Sequence, residues 1–81
     1  MPVYYFHLRD GEDVLLDPDG RILDGAEAIA RSALAEARAL ISEEVRTGRI
    51  RLDQRIVVED ADGEVVHRLP FNEAIVISGG D

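Results

Sequence analysis

Residues 24–48, DGAEAIARSALAEARALISEEVRTG, decide the fold, because they predict one long amphipathic helix against which the remaining chain must pack. Asp24 is a favourable N-cap residue, and Glu27, three positions later, completes a capping box. Gly48 suits the left-handed position that follows a helix. Propensity alone leaves a helix marginally stable, so this one needs a partner surface along its length. Its apolar residues fall on one face at ~100° per residue; they are Ala26, Ile29, Ala30, Ala33, Ala37, Leu40 and Ile41.

Short strands joined by turns account for the rest of the chain. Residues 2–9 alternate between two faces, with Tyr4 and Phe6 on one and Tyr5 and His7 on the other. Further strands are predicted at residues 14–16, 54–59 and 64–69, with a short last strand at 75–77. Turn residues separate these segments: Asp10-Gly11, the run 17–20, the run 60–63, and a tight turn or single helical turn at 70–74.

These elements predict an α+β fold for residues 1–81 as a single domain. We expect a small antiparallel sheet of three to four strands with one long helix packed on one face. The predicted core takes the inward residues of the helix and of the strands. Its members are Tyr4, Phe6, Leu8, Ile29, Ala33, Ala37, Leu40, Ile56, Val58 and Phe71.

The register of the second hairpin has two solutions. A three-residue loop closed by Gly63 in a bulge pairs Val57 with His67. A two-residue loop instead puts Val65, His67 and Leu69 on the helix face. Turn chemistry favours the first solution, and simple alternation, with the charged residues facing out together, favours the second. We adopt the first.

One helix can cover only one face of a sheet, so the other face is the candidate functional surface. In the adopted register it exposes an apolar patch larger than small monomers usually carry. A symmetric homodimer would bury this patch and add stability that so small a core lacks. The predicted interface is Val3, Tyr5, His7, Val57, Val65, His67 and Leu69. A stripe of small residues on the outward side of the helix (Ala28, Ser32, Ala35 and Ala39) is the alternative interface, although alanines there can simply favour helix formation.

Composition argues against several classes of function. The net charge of −8 disfavours binding to nucleic acid and to anionic membranes. The chain has no cysteine, no apolar segment of membrane-spanning length and no signal-peptide pattern, which makes the cytoplasm the default location. The turn carboxylates fail the calcium-loop spacing, and His7 and His67 form no metal-binding pattern. We therefore predict no catalytic residue, no cofactor and no metal site.

Three short motifs carry a family resemblance. They are the opening M-P-x-Y-Y-F-H-L-R-D-G, the D-x-x-G ahead of the helix, and the closing V-x-D-x-D-G followed by L-P-F-N-E-A. Together they resemble a small bacterial domain-of-unknown-function family of rhizobia and related alphaproteobacteria. That resemblance implies no activity and no catalytic residues.

The order of strand, D-G turn, hairpin and E-A-rich helix is also similar to the HicB-type antitoxin domain, although here a long hairpin follows the helix. The preferred function is thus a non-catalytic interaction module that self-associates or binds a protein partner. An antitoxin-like acidic protein that neutralises a basic partner is the alternative. An enzyme or small-molecule binder would need a deep pocket, which one helix on one small sheet rarely forms.

Overall fold

The computed structural model describes residues 2–79, and within them the chain forms five strands, one α-helix and one 3₁₀ turn. The helix packs on one face of an antiparallel sheet, which confirms the α+β class. The sheet has one strand more than the three to four expected, and residues 75–77, expected as a last strand, form none. The elements are β1 (Val3–Asp10), β2 (Asp13–Leu15), β3 (Arg21–Ile22), α1 (Ala26–Arg46), β4 (Gln54–Asp60), β5 (Val65–Pro70) and the 3₁₀ turn (Phe71–Glu73).

Strand β1 lies inside the sheet and pairs on both of its edges. One edge pairs along nearly its whole length with β4, which in turn pairs with β5. The other edge pairs with two short strands, β2 near the end of β1 and β3 near its beginning. Residues 16–20 connect these two strands and leave the middle of that edge of β1 without a neighbouring strand.

Helix α1 begins at Ala26, and its N-cap is Gly25 rather than Asp24. Gly25 has φ 95° and ψ 171°, a conformation that favours glycine, and no side chain caps the first turn. The predicted capping box is therefore wrong, because the turn at Gly25 leaves Asp24 one position too early to reach the free N–H groups.

The C-terminal end of α1 closes on Gly48, as predicted. With φ 87°, Gly48 donates its N–H to the Val45 carbonyl at 2.9 Å, and Arg49 donates to the Glu44 carbonyl at 3.2 Å. These two bonds form a Schellman motif. The Glu44 carboxylate also accepts a bond of 2.6 Å from the Gln54 amide, which ties the end of the helix to the start of β4.

The core lies between α1 and the sheet. Every fourth residue of α1 is buried in it, from Ile29 through Ala33 and Ala37 to Ile41. All ten predicted core residues either belong to this buried cluster or pack against it, so the core prediction is confirmed. The cluster also contains Ala74, which the prediction omitted, whereas Ala26 at the start of the helix is exposed.

The second hairpin combines both predicted registers. Its three-residue loop forms as turn chemistry predicts, with the Gly63 N–H donating to the Asp60 carbonyl at 3.0 Å. The pairing expected beyond the loop is wrong, because Val66 is an extra residue in a second bulge and Val58 pairs with His67. Each bulge shifts the register by one residue, and the two shifts cancel. His67 and every second residue after it consequently face α1.

Candidate functional site

The candidate site is the side of the sheet opposite α1, which we call the outer face. Ladder pairing of β1, β4 and β5 arranges its side chains in three rows that cross the strands. We name the rows after their β4 members. The Glu59 row is Tyr5, Glu59 and Val65; the Val57 row is His7, Val57 and Arg68; the Arg55 row is Arg9, Arg55 and Pro70.

Five of the seven residues predicted as an interface lie on this face. His67 and Leu69 do not: they pair with Val58 and Ile56, whose side chains are in the core. Their predicted position is wrong because the bulge at Val66 shifts the register of β5 by one residue. The five on the outer face are Val3, Tyr5, His7, Val57 and Val65.

The centre of the outer face is already buried within the single chain. His7 is 8% exposed and Val57 is 4% exposed. Part of the cover comes from residues 17–20, which lie against the β1 edge of this face, where Asp17 donates its backbone N–H to His7 Nδ1 at 3.0 Å. The Tyr5 ring stacks 6.4 Å from the His7 ring, and a Cβ added at Gly20 would meet Tyr5 Cε1 at 2.9 Å. The exposed apolar patch is therefore smaller than the sequence predicted.

His7 links the β1 edge to the Glu59 row. Its Nδ1 accepts the Asp17 N–H and so carries no proton itself. The remaining ring nitrogen, Nε2, faces the Glu59 Oε1 at 3.4 Å. This arrangement holds the Glu59 carboxylate, which is 29% exposed, over the sheet rather than in free solvent.

Asp17 fills the gap between β2 and β3. Its carboxylate accepts the Phe6 N–H of β1 at 3.1 Å, in the place where a strand carbonyl would be. It also accepts the N–H groups of Asp19 and Gly20 at 3.1 and 3.2 Å. Burial acts to raise the pKa of Asp17, but these hydrogen bonds and the charge of Arg21 outweigh it and hold the pKa below its ordinary value of 3.8.

The outer face also carries three arginines, Arg9, Arg55 and Arg68. Within residues 2–79, none of them has a carboxylate oxygen within 4.0 Å. Arg9 and Arg55 stand directly opposite each other, an arrangement of like charges that destabilises a strand pair. Sequence alternation already placed Arg9 and Arg55 on this face, whereas the adopted register of the second hairpin turned Arg68 toward the helix. The grouping of all three followed only from the observed pairing of β1, β4 and β5.

A cleft of about 210 Å³ opens on the other side of the sheet, between α1 and the β2 edge. The Arg21 guanidinium lies 4.4 Å from the centre of the Phe6 ring and pairs with Glu36. Its charge is therefore already engaged within the chain. The remaining lining is mostly apolar: Leu8, Leu15, Leu16, Pro18, Leu40 and Ile56, with Asp17.

Two larger hollows, of about 420 and 370 Å³, lie along β2 and β3, each lined by five residues. Within residues 2–79, no three histidine, aspartate or glutamate side chains are grouped so that they could hold a metal ion. No helix in that part of the chain is long and apolar enough to cross a membrane.

Fold and site define a two-layer α+β protein whose sheet is covered by a helix on one side only. The chain belongs to a family described as a domain of unknown function (DUF6894), whose model matches residues 3–72. Searches of the curated proteins and of the solved structures each returned no match. The expectation of a domain-of-unknown-function family is thus confirmed.

Proposed function

We propose that the protein is a non-catalytic interaction module of the cytoplasm that forms a homodimer through its outer face. The supporting observation is that no helix or second sheet covers the outer face within the described residues. The molecule measures 47 × 26 × 17 Å, and its thinnest dimension contains one helix and one sheet. A sheet is stable when both faces are covered or when the uncovered face is polar. A second copy would supply the missing layer.

The side chains of the outer face suit a sheet-to-sheet contact. Val57 lies at the centre of the face but is only 4% exposed, so the apolar surface that a partner can reach belongs to the half-buried Val3 and Tyr5 and to Val65, which is 38% exposed. Arginine stems add further apolar surface while their charged ends stay in water. Because His67 and Leu69 face α1, the proposed contact combines apolar and charged side chains and does not depend on a large apolar patch.

The antitoxin-like alternative draws less support from this face. That role requires an acidic surface against a basic partner. The outer face instead groups three arginines and presents Glu59 as the one acidic member of its rows. A basic partner would meet charges of its own sign there, whereas a second copy offers both signs.

A small-molecule role finds equally little support in the cleft beside α1. Ligand pockets typically enclose about 300–1,000 Å³ around a few convergent polar groups. The cleft is smaller and open to solvent, and its one cation, Arg21, is stacked on Phe6 and paired with Glu36. The two hollows along β2 and β3 reach this volume, but they are more open than the cleft and each is lined by only five residues. A metabolite screen that raised the melting temperature would contradict the non-catalytic, ligand-free proposal.

Light scattering coupled to size exclusion tests the dimer. At tens of micromolar, the molar mass measured for the wild-type protein should be twice that of one chain. Tyr5→Glu and Val65→Lys should each shift it to the monomer, because both place a charge in the contact. Val65 is exposed in the single chain, so its substitution requires no rearrangement of the core.

Two control variants locate the interface. Arg31→Glu changes a side chain that is 72% exposed on the far side of α1, and it should leave the dimer intact. Ala35→Glu places a charge on the small-residue stripe of the helix. A monomeric wild-type protein would refute the proposal, and dissociation by Ala35→Glu alone would move the interface to the helix.

A further inference from the structure

The charges along β4 point to one particular way of pairing two outer faces. We propose that the second copy packs with its β4 antiparallel to the first, so that Arg55 of each chain lies against Glu59 of the other. This inference rests on the proposed homodimer and specifies its geometry. Two observations support it: the order of side chains on the outer face, and the lack, within residues 2–79, of any carboxylate oxygen within 4.0 Å of the Arg55 guanidinium.

Arg55, Val57 and Glu59 lie two residues apart on the same face of β4. At about 3.3 Å per residue, the charged residues stand ~13 Å apart with Val57 midway between them. A two-fold axis that passes across the strands at Val57 exchanges the two charged positions. Each guanidinium then meets a carboxylate, and the contact occurs twice in every dimer.

The other simple two-fold axis, parallel to the strands, gives the opposite result. It leaves each residue at the same height along the strand, so Arg55 would face Arg55 and Glu59 would face Glu59. That arrangement brings like charges together at both charged positions of β4, whereas the antiparallel one does so only at Arg68, so the parallel axis is disfavoured. Charge complementarity therefore selects the axis that reverses the strands.

The neighbouring strands are compatible with this axis. It places β1 over β1 of the second copy, with Arg9 above Tyr5 and the two raised edges at residues 17–20 above each other. Arg68 lies in the Val57 row and would meet its own copy, but its side chain is exposed and can keep its charged end in water. Residues 17–20 raise the β1 edge of the face, so the closest contact falls on β4 and β5.

Sheet twist leaves the charged pair within reach. Aligned sheets pack at about −30°, which moves a residue two positions from the axis sideways by ~3 Å. Arginine and glutamate side chains are long enough to span that offset. The arrangement would also offset a cost visible in the single chain, since a partner carboxylate near Arg55 relieves its repulsion from Arg9.

Exchange of charges between two variants tests the geometry directly. Arg55→Glu leaves two carboxylates facing each other in the antiparallel dimer, and Glu59→Arg leaves two guanidinium groups. Each variant alone should dimerise at least tenfold more weakly than wild type in sedimentation equilibrium. Mixed in equal amounts, the two should form a heterodimer, because both contacts between unlike variants then join opposite charges.

The single variants are checked for folding by circular dichroism, and Glu59→Gln separates loss of the His7 contact from reversal of charge. Arg31→Glu and Glu43→Arg, which change exposed helix residues, serve as matched controls and should leave the wild-type dimer unchanged. If wild type is a dimer but Arg55→Glu and Glu59→Arg remain dimeric, or fail to combine when mixed, the geometry is refuted while the homodimer stands. A monomeric wild type refutes both.

Discussion

Replacement of Asp17 by alanine should destabilise the fold far more than a substitution in a surface turn usually does. The carboxylate accepts three backbone N–H groups at 3.1–3.2 Å, and one of these, from Phe6, belongs to the middle of β1. In Asp17→Ala the Phe6 N–H loses its acceptor at the gap between β2 and β3. Asp19 and Gly20 lie at the surface of the turn, where water can replace the lost bonds.

The expected loss of stability follows from one hydrogen bond, the partly buried one from the Phe6 N–H to the Asp17 carboxylate. A hydrogen bond to a charged acceptor contributes about 1.5–3 kcal/mol, and a donor left without a partner costs a similar amount. We expect Asp17→Ala to lower the free energy of unfolding by about 2–3 kcal/mol. In a domain of this size 1 kcal/mol corresponds to roughly 4–8 °C, so the melting temperature should fall by ~10 °C or more.

The pH dependence should identify the charge of Asp17 as the cause. Because its pKa lies below the ordinary value of 3.8, the ionised carboxylate stabilises the folded state. That contribution is fully present above the unfolded pKa and is lost as the pH falls through the folded pKa. The stability gap between wild type and Asp17→Asn should thus stay constant from pH 7 to about pH 5 and narrow below about pH 3.8.

Urea denaturation followed by far-ultraviolet circular dichroism measures both quantities. Asp17→Asn preserves the shape and provides a folded variant if Asp17→Ala is too unstable. Asp19→Ala is the matched control, since the Asp19 side chain is exposed and accepts no hydrogen bond from the described residues. An Asp17→Ala variant within 0.5 kcal/mol of wild type, or a gap that widens in acid, would refute the reasoning.

Three further substitutions test the packing in thermal melts. Asp24→Ala should leave the melt unchanged, because Gly25 is the N-cap and no side chain caps α1; a clear loss would restore Asp24 to that role. Gly20→Ala should cost about 1–3 kcal/mol, since φ is +73° and the new Cβ would lie 2.7 Å from Val3 Cγ1. Phe71→Ala removes a fully buried ring and should cost about 3–5 kcal/mol; a smaller loss would mean that the core collapses around the site.

The core and the helix could be predicted because both depend on local periodicity. Apolar spacing identified the buried face of α1, and alternation identified the inward residues of β1 and β4. The C-terminal end of α1 could also be predicted, because a glycine directly after a helical segment favours the left-handed conformation that ends a helix. The start was not: Asp24 and Gly25 both suit an N-cap, and only the backbone conformation distinguishes them.

The second hairpin could be predicted only in part, because one of its bulges depends on local turn residues and the other depends on packing against the helix. Turn residues determine the loop at Gly63, and the sequence of residues 60–63 identifies them directly. The bulge at Val66 depends instead on which residues of β5 must face α1. Leu69 packs against the core opposite Ile56, and an extra residue earlier in the strand is what brings it there. Burial, rather than the turn, thus determines the final register.

Asp17 was missed because the sequence offers no local sign of its role. A D-P-D-G run predicts a solvated turn, and a turn does form. What distinguishes Asp17 is β3, a two-residue strand that pairs beside it on the same edge of β1. Pairing this short has no periodicity of its own and depends on β1 already being in place. The carboxylate could therefore be recognised only in the folded chain.

Both edges of the sheet are poorly suited to adding a strand from a partner. On one side, β2 and β3 are short, and Asp17 occupies the gap between them by accepting the free N–H of β1. On the other side, β5 carries the bulge at Val66 and ends at Pro70, which has no N–H to donate. Bulges, prolines and short edge strands are devices that prevent edge-to-edge pairing. The proposed partner is thus directed away from the edges and toward the outer face, where Val65 and the charged side chains of Arg55 and Glu59 are the groups that it can reach.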